Sequence, residues 1–188
     1  MLAAAPPIVH DPIPFPAARI EQMRAYSRRH YGRYRAKLTD PKVIVEHLTA
    51  NTSYSATWST FASNAPDPEI GEHPGTCAHF VIDQQGRIHQ LVSLKWMCRH
   101  TVGLNDVSIG IEHVGTSEAQ VWANRRMRRA SLRLTRWLMG REHITLRNVI
   151  GHNESLRSPY HHERVARLRT QTHADFPARW MKRFRAAL

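Results

Sequence analysis

The chain has 188 residues, 41% of them hydrophobic, which suffices for a single domain with a full buried core. No apolar run approaches the roughly 20 residues of a membrane-spanning helix, so no integral membrane segment is expected. Lys and Arg outnumber Asp and Glu by 27 to 15 for a formal charge of +12, a field that attracts polyanions without naming one; the aromatic-interleaved basic segments, helix-turn-helix and paired CxxC spacing of nucleic-acid binders are absent, so no nucleic-acid partner is expected.

The first residues, MLAAAPP, have neither the basic nor the long apolar region of a signal peptide. They are similar to the small-residue stretch left at a cleavage site, which suggests a mature exported protein with an added Met1. Prolines at 6, 7, 12, 14 and 16 predict an extended arm on the surface. Ile20, Met23 and Tyr26 then recur at helical spacing from Ala17 to His30, with Gly32 as the stop. His30 reads as a helix-end cation.

The run from Val43 to Glu46 predicts a short buried strand that delivers His47 at its end. Ser53 is placed to cap a helix carrying Trp58 and Phe61, and Asn64 to Gly75 reads as a loop. CAHFVID, QQG and RIHQLV predict a hairpin, in which His79 and His89 read as ordinary strand positions. Cys77 and Cys98 flank that unit; paired, they would suit an oxidising compartment. Two cysteines exclude a cysteine zinc knuckle.

After a turn at Gly103 to Asp106, Val107, Ile109 and Ile111 alternate with Ser108, Gly110 and Glu112, so Glu112 lies on the face opposite the isoleucines. His113 beside it has no partner visible in sequence. Ser117 and Gln120 have capping-box spacing, and one helix is expected from there through Val121, Met127, Leu134, Trp137 and Leu138, ended by Gly140. NVIGH is a second apolar strand ending in a histidine, His152. Pro177 opens a last helix with Trp180 and Phe184 as its buried stripe. The expected fold class is α/β, a single mixed sheet of about five or six strands with helical cover.

HLTA after a strand, AHFVIDQQGRIHQLV, RHTVGLNDVSIGIEHVG and VIGHNE, in this order, resemble the zinc-dependent N-acetylmuramoyl-L-alanine amidases of the type 2 amidase and peptidoglycan-recognition-protein family. The resemblance covers about residues 43 to 185; with the proline-rich arm and first helix read over 1–37, an amidase domain is expected over 38–188. It implies one bound Zn2+, held by His47, His152 and Asp175, with peptidoglycan or muropeptides as substrate. Two imidazoles and a carboxylate leave a fourth position for water and substrate. Zinc would polarise the amide carbonyl and lower the pKa of water from 15.7 to about 7. The resemblance gives Glu112 the role of proton carrier and His173, where many relatives have lysine, that of oxyanion donor. It places His100 and Asn105 in the substrate groove.

Arg99 stands where the family has tryptophan, so Trp96 is the candidate to supply the aromatic surface. Asp175 follows His152 by 23 positions (175 − 152), about twice the spacing in many members, and the intervening His161 and His162 compete as third ligand. A peptidoglycan-binding module without activity and a cytoplasmic enzyme recycling anhydro-muropeptides are the alternative readings. A monomer acting in the periplasm, the envelope or outside the cell is expected.

Overall fold

A computed structural model describes residues 3–188; Met1 and Leu2, at the start of the MLAAAPP segment, lie outside the described residues. Six strands form one sheet: β1 (Ile8–His10), β2 (Val43–Leu48), β3 (Phe80–Ile82), β4 (Ile88–Gln90), β5 (Ser108–His113) and β6 (Val149–Gly151), in spatial order β1-β4-β3-β5-β2-β6. Only β3 and β4, the two arms of the hairpin, pair antiparallel; every other neighbour is parallel. β2, β3, β5 and β6 therefore all run the same way, and their C-terminal ends share one edge. In parallel sheets that edge is where ligands collect.

Helices α1 (Ala17–Tyr31), α2 (Tyr54–Ser63), α3 (Glu118–Ala123), α4 (Arg125–Arg141) and α5 (Ala178–Ala186) cover the sheet. Gly32 ends α1 in the left-handed region, φ 76°, with its N–H returning to the Arg28 carbonyl, as the sequence predicts. Ser53 caps α2 through the Ala56 N–H. The single helix expected from Ser117 to Gly140 is two. Asn124 leaves helical geometry (ψ 98°), and its side chain accepts from the N–H groups of Arg126 and Met127, starting a new helix one residue after α3 ends. Gly140 lies inside the last turn of α4 instead of ending it. In α5 it is Met181 and Phe184 that are buried, while Trp180 is half-buried with the Arg183 guanidinium over its ring.

The N-terminal segment is not a separate arm. Between its prolines, Ile8 to His10 extend the sheet parallel to β4, the N–H of Ile13 donates to the carbonyl of Leu91, and Ile13, Met23, Tyr26 and Tyr31 join the same buried core as Phe80, Ile109, Ile111, Leu134 and Phe184. Residues 8 to 10 lack proline and so retain the amide hydrogens a strand needs. A core shared in this way makes 1–37 and 38–188 one folded unit. Cys77 and Cys98 are joined by a disulfide with Cα atoms 5.5 Å apart, tying the start of β3 to the loop that follows β4. No helix among the described residues is long and apolar enough to cross a membrane.

Candidate metal centre and amidase site

Register assembles the site. In the sheet His47 stands opposite Glu112, and Glu46 opposite Gly151, so the residue after Gly151, His152, lies next to His47. Neighbouring parallel strands are about 4.8 Å apart, which brings both imidazoles within reach of one ion although 105 positions separate them in sequence. His47 Nδ1 and His152 Nδ1 are 3.1 Å apart. The Asp175 carboxylate completes the triangle, at 3.5 Å from His47 Nδ1 and 3.4 Å from His152 Nδ1.

A tetrahedral ion with bonds of about 2.0–2.1 Å requires donor atoms about 3.3 Å apart, so these three fit one. They form the one such group of three found among the described residues. His161 and His162 do not contend: the His161 ring lies under Gly103, and the backbone N–H of His162 donates to the Gly103 carbonyl.

Asp175 is held by its neighbours. Its Oδ2 accepts from the Leu48 N–H and its backbone carbonyl from the Asn153 N–H, while Phe176, at φ 49°, donates its own N–H to Glu118. The carbonyl side of Phe176 packs straight onto Gly151: a Cβ at 151 would stand 2.5 Å from Phe176 Cβ. Glycine before His152 is thus what lets the loop carrying Asp175 close over β6.

The His47 ring is oriented from behind. The Ser108 hydroxyl donates to the Leu104 carbonyl, so its oxygen accepts from His100 Nε2–H at 3.2 Å. His100 Nδ1 is then an acceptor and takes the His47 Nε2–H at 3.0 Å, with Thr101 Oγ1 3.3 Å from the same nitrogen. By this chain the lone pair of His47 is at Nδ1, toward His152 and Asp175. Burial, with the neighbouring His47 and His79, holds His100 well below the usual histidine range and so neutral.

Burial pushes His152 down to about 4. At His47 the same burial is outweighed by the Asp175 hydrogen bond and the Glu112 charge, and its pKa rises. Burial raises a carboxyl, but at Asp175 the bonds with His152 and His47 prevail and hold it far below the carboxylate range. Glu112 is lifted by burial to about 7, against the field of His47. Its Oε2 is shielded from solvent and has no hydrogen-bond partner, the state of a carboxylate available to a reactant.

A narrow hollow of about 60 Å3 opens beside the cluster, walled by His152, His173, His100, Asn105, Asp67 and Glu69 among others. His173 stacks on His152 with ring centroids 4.6 Å apart, and its Nε2 is 3.0 Å from Glu69. Asn105 lines the wall chiefly as a brace: its side-chain oxygen accepts from the N–H groups of His100 and Thr101. Trp96 is not brought to the hollow. It stacks on Phe15 and bridges to Lys37, because the N-terminal segment covers it. Arg99 supplies no flat surface either; it is buried over the Tyr26 ring, bonded to Asp67 and to the carbonyl of Glu72, and fixes the loop at 64–75.

Glu69 and Gln171, which hold His173, carried no signal in sequence, since a contact across 102 positions between two loops leaves no periodic trace. His79 and His113 are saturated structural residues, both pushed by burial to about 4. His30 is more than a helix-end cation: buried, it bonds Glu163 and Glu72 and joins the two loops that flank the cleft.

Two imidazoles and a carboxylate around one point, with a shielded free carboxylate beside them at the C-terminal edge of a mixed sheet, form a candidate metal centre of the kind that serves hydrolysis. A profile of the N-acetylmuramoyl-L-alanine amidases matches residues 37–173, and the chain belongs to that family. It is an amidase whose substrate is peptidoglycan. Among solved structures it is similar to the endolysin N-acetylmuramoyl-L-alanine amidase LysCS from Clostridium intestinale URNW, at 18% identity over 81% of this chain and 84% of that one, with a TM-score of 0.59. An AmpD derivative matches at 20% identity over 96% and 94%, TM-score 0.56. The catalytic domain of XlyA matches at 22% over 96% and 98%, TM-score 0.55. At such identities the likeness establishes the fold. No curated protein matches the sequence.

Proposed function

We propose that this amidase is zinc-dependent and cleaves the amide between the lactyl group of N-acetylmuramic acid and the L-alanine of the stem peptide. The observation that carries the reading is the spacing of 3.1 to 3.5 Å among His47, His152 and Asp175 with Glu112 at hand. These three residues would hold the ion. Bound there, zinc supplies Lewis-acid polarisation of the carbonyl and acidification of water.

The rest falls to the chain's own groups. Glu112 Oε2 takes the proton of the attacking water and returns one to the departing amine nitrogen. His173, at the rim, donates a hydrogen bond to the developing oxyanion; loss of such a donor costs about 2.7–4 kcal/mol of barrier. Glu69 holds the ring of His173, and Ser108, His100 and Thr101 hold that of His47. Asn105 keeps the wall of the hollow in shape. The Cys77–Cys98 disulfide supports action in an oxidising compartment, the periplasm, the envelope or the exterior.

Metal content of the purified protein, and free stem peptide released from sacculi before and after chelation, test this. One zinc per chain is expected, with activity lost on chelation and restored by zinc. Undiminished release after complete metal removal would overturn it.

A further inference from the structure

All but four of the 27 basic residues are arginine, the lysines being Lys37, Lys42, Lys95 and Lys182. Many arginines are used within the molecule: Arg19 is buried among carbonyls, Arg99 binds Asp67, Arg87 binds Asp83 and Arg185 binds Glu154. Four on α4 are not. Arg125, Arg126, Arg129 and Arg133 are exposed, and no carboxylate lies within ion-pair distance of them among the described residues. Arg125, Arg129 and Arg133 follow at four-residue steps and Arg126 precedes Arg129 by three, spacings at which like charges repel along a helix. That repulsion has no counterion in the protein.

These arginines, with Gln85 and Gly86 of the β3–β4 turn, line a shallow hollow of about 430 Å3. The turn packs directly on α4: Asn124 donates to the Gln84 carbonyl, and a Cβ on Gly86 would meet the Arg126 backbone at 2.8 Å. It follows β3, which runs parallel to β5 and β2, with Ile82 in the same row as His113 and Leu48. The hollow is therefore toward the same end of the sheet as the metal cluster but on its other face: α4 packs on the side of Glu46 and His113, bonded through Thr135 and Ser131, whereas His47 and Glu112 point the opposite way.

We propose that this hollow docks an anionic wall polymer that carries a phosphodiester in each repeat and is interleaved with the peptidoglycan being cut. Planar guanidinium forks match phosphate oxygens two at a time, and several along one helix suit a chain with repeated charges. A membrane is the poorer fit, because Met127, Leu134 and Leu138, the apolar face of α4, are buried in the core and leave nothing to insert. A polymer interleaved with the substrate is favoured over nucleic acid because it shares the amidase's place of action. The proposal rests on the reading of the protein as an amidase acting in the envelope.

The test measures binding of purified poly(glycerol phosphate) to the whole protein, and retention on sacculi before and after acid extraction of their phosphodiester polymer. R125Q/R126Q/R129Q/R133Q is compared with R28Q/R147Q/R157Q/R179Q, which removes the same charge elsewhere. The first is expected to bind the polymer about tenfold or more weakly, with a shallower salt dependence, and the second within about twofold of the unsubstituted protein. R129Q/R133Q serves if the quadruple variant melts early. Equal losses in both sets would overturn the proposal, as would a dependence on the four arginines for duplex DNA or anionic phospholipid vesicles but not for the polymer. Release of stem peptide from a soluble muropeptide is read in parallel and should be unchanged in every variant. Were the unsubstituted protein inactive there, the amidase reading would fail while the binding result stood.

Discussion

Gly151→Ala changes one hydrogen into a methyl group and should disable the metal centre from a position that ligates nothing. The new Cβ would lie 2.5 Å from Phe176 Cβ and 2.7 Å from its carbonyl carbon, whereas carbon atoms in contact stand about 3.5 Å or more apart. Gly151 is held on β2 by the ladder, so the loop carrying Phe176 must withdraw by about 1 Å, and Asp175 precedes Phe176 directly. Metal–ligand distances tolerate only about 0.2 Å. The Asp175 oxygens would leave their positions 3.4 and 3.5 Å from the two imidazoles, and zinc affinity should fall by at least the 10- to 100-fold typical of displaced outer support. Overpacking should lower stability by about 1–3 kcal/mol as well. Competition against a chromogenic chelator gives the affinity and thermal melting the stability, with Gly115→Ala as control, where the nearest atom is at an ordinary 3.5 Å. If Gly151→Ala binds zinc within a factor of two of the parent, the account of how Asp175 is positioned is wrong.

Glu112→Gln should keep the metal and lose about 100- to 10,000-fold in turnover; metal content with release of stem peptide checks it, and an active variant removes Glu112 from the mechanism. Ser108→Ala breaks the chain through His100 that orients His47 and should weaken zinc binding about 10-fold without touching the ion; unchanged affinity would dismiss that chain. Glu46, under α4 and bonded to Thr135, is lifted by burial from the ordinary 4.5 to about 8. The folded state thus holds a proton that the unfolded chain releases, so stability should decline from about pH 4.5 to about pH 8, by at most about 1.4 kcal/mol per unit. Denaturant titrations of Glu46→Gln across that range should give a flatter profile; parallel profiles would refute the assignment. Replacing Cys77 and Cys98 by serine opens a link spanning 21 positions and should cost about 3 kcal/mol by loop entropy, read from denaturation midpoints.

Much of this protein is determined by local order in the chain. Apolar runs at Val43 and Val149 make strands and place His47 and His152 at their ends; the alternation from Val107 turns Glu112 away from Ile109 and Ile111; Gly32 and Ser53 terminate helices by backbone geometry that a single residue controls. Such features need only the 2.0 and 3.6 periodicities and a few caps. Asn124 was legible in principle, being a strong capping residue, yet it was masked by a basic and apolar pattern that continues across it. What tertiary structure alone decided are matters of register and of loop closure. Parallel pairing puts His47 opposite Glu112 and brings His152 alongside, and the fit of Phe176 against Gly151 brings Asp175, rather than His161 or His162, up to the two imidazoles. The same packing hides Trp96 under Phe15, buries Arg99 and recruits Glu69 to His173. Contacts between residues a hundred positions apart follow from how whole elements pack, and no pattern within one segment encodes them.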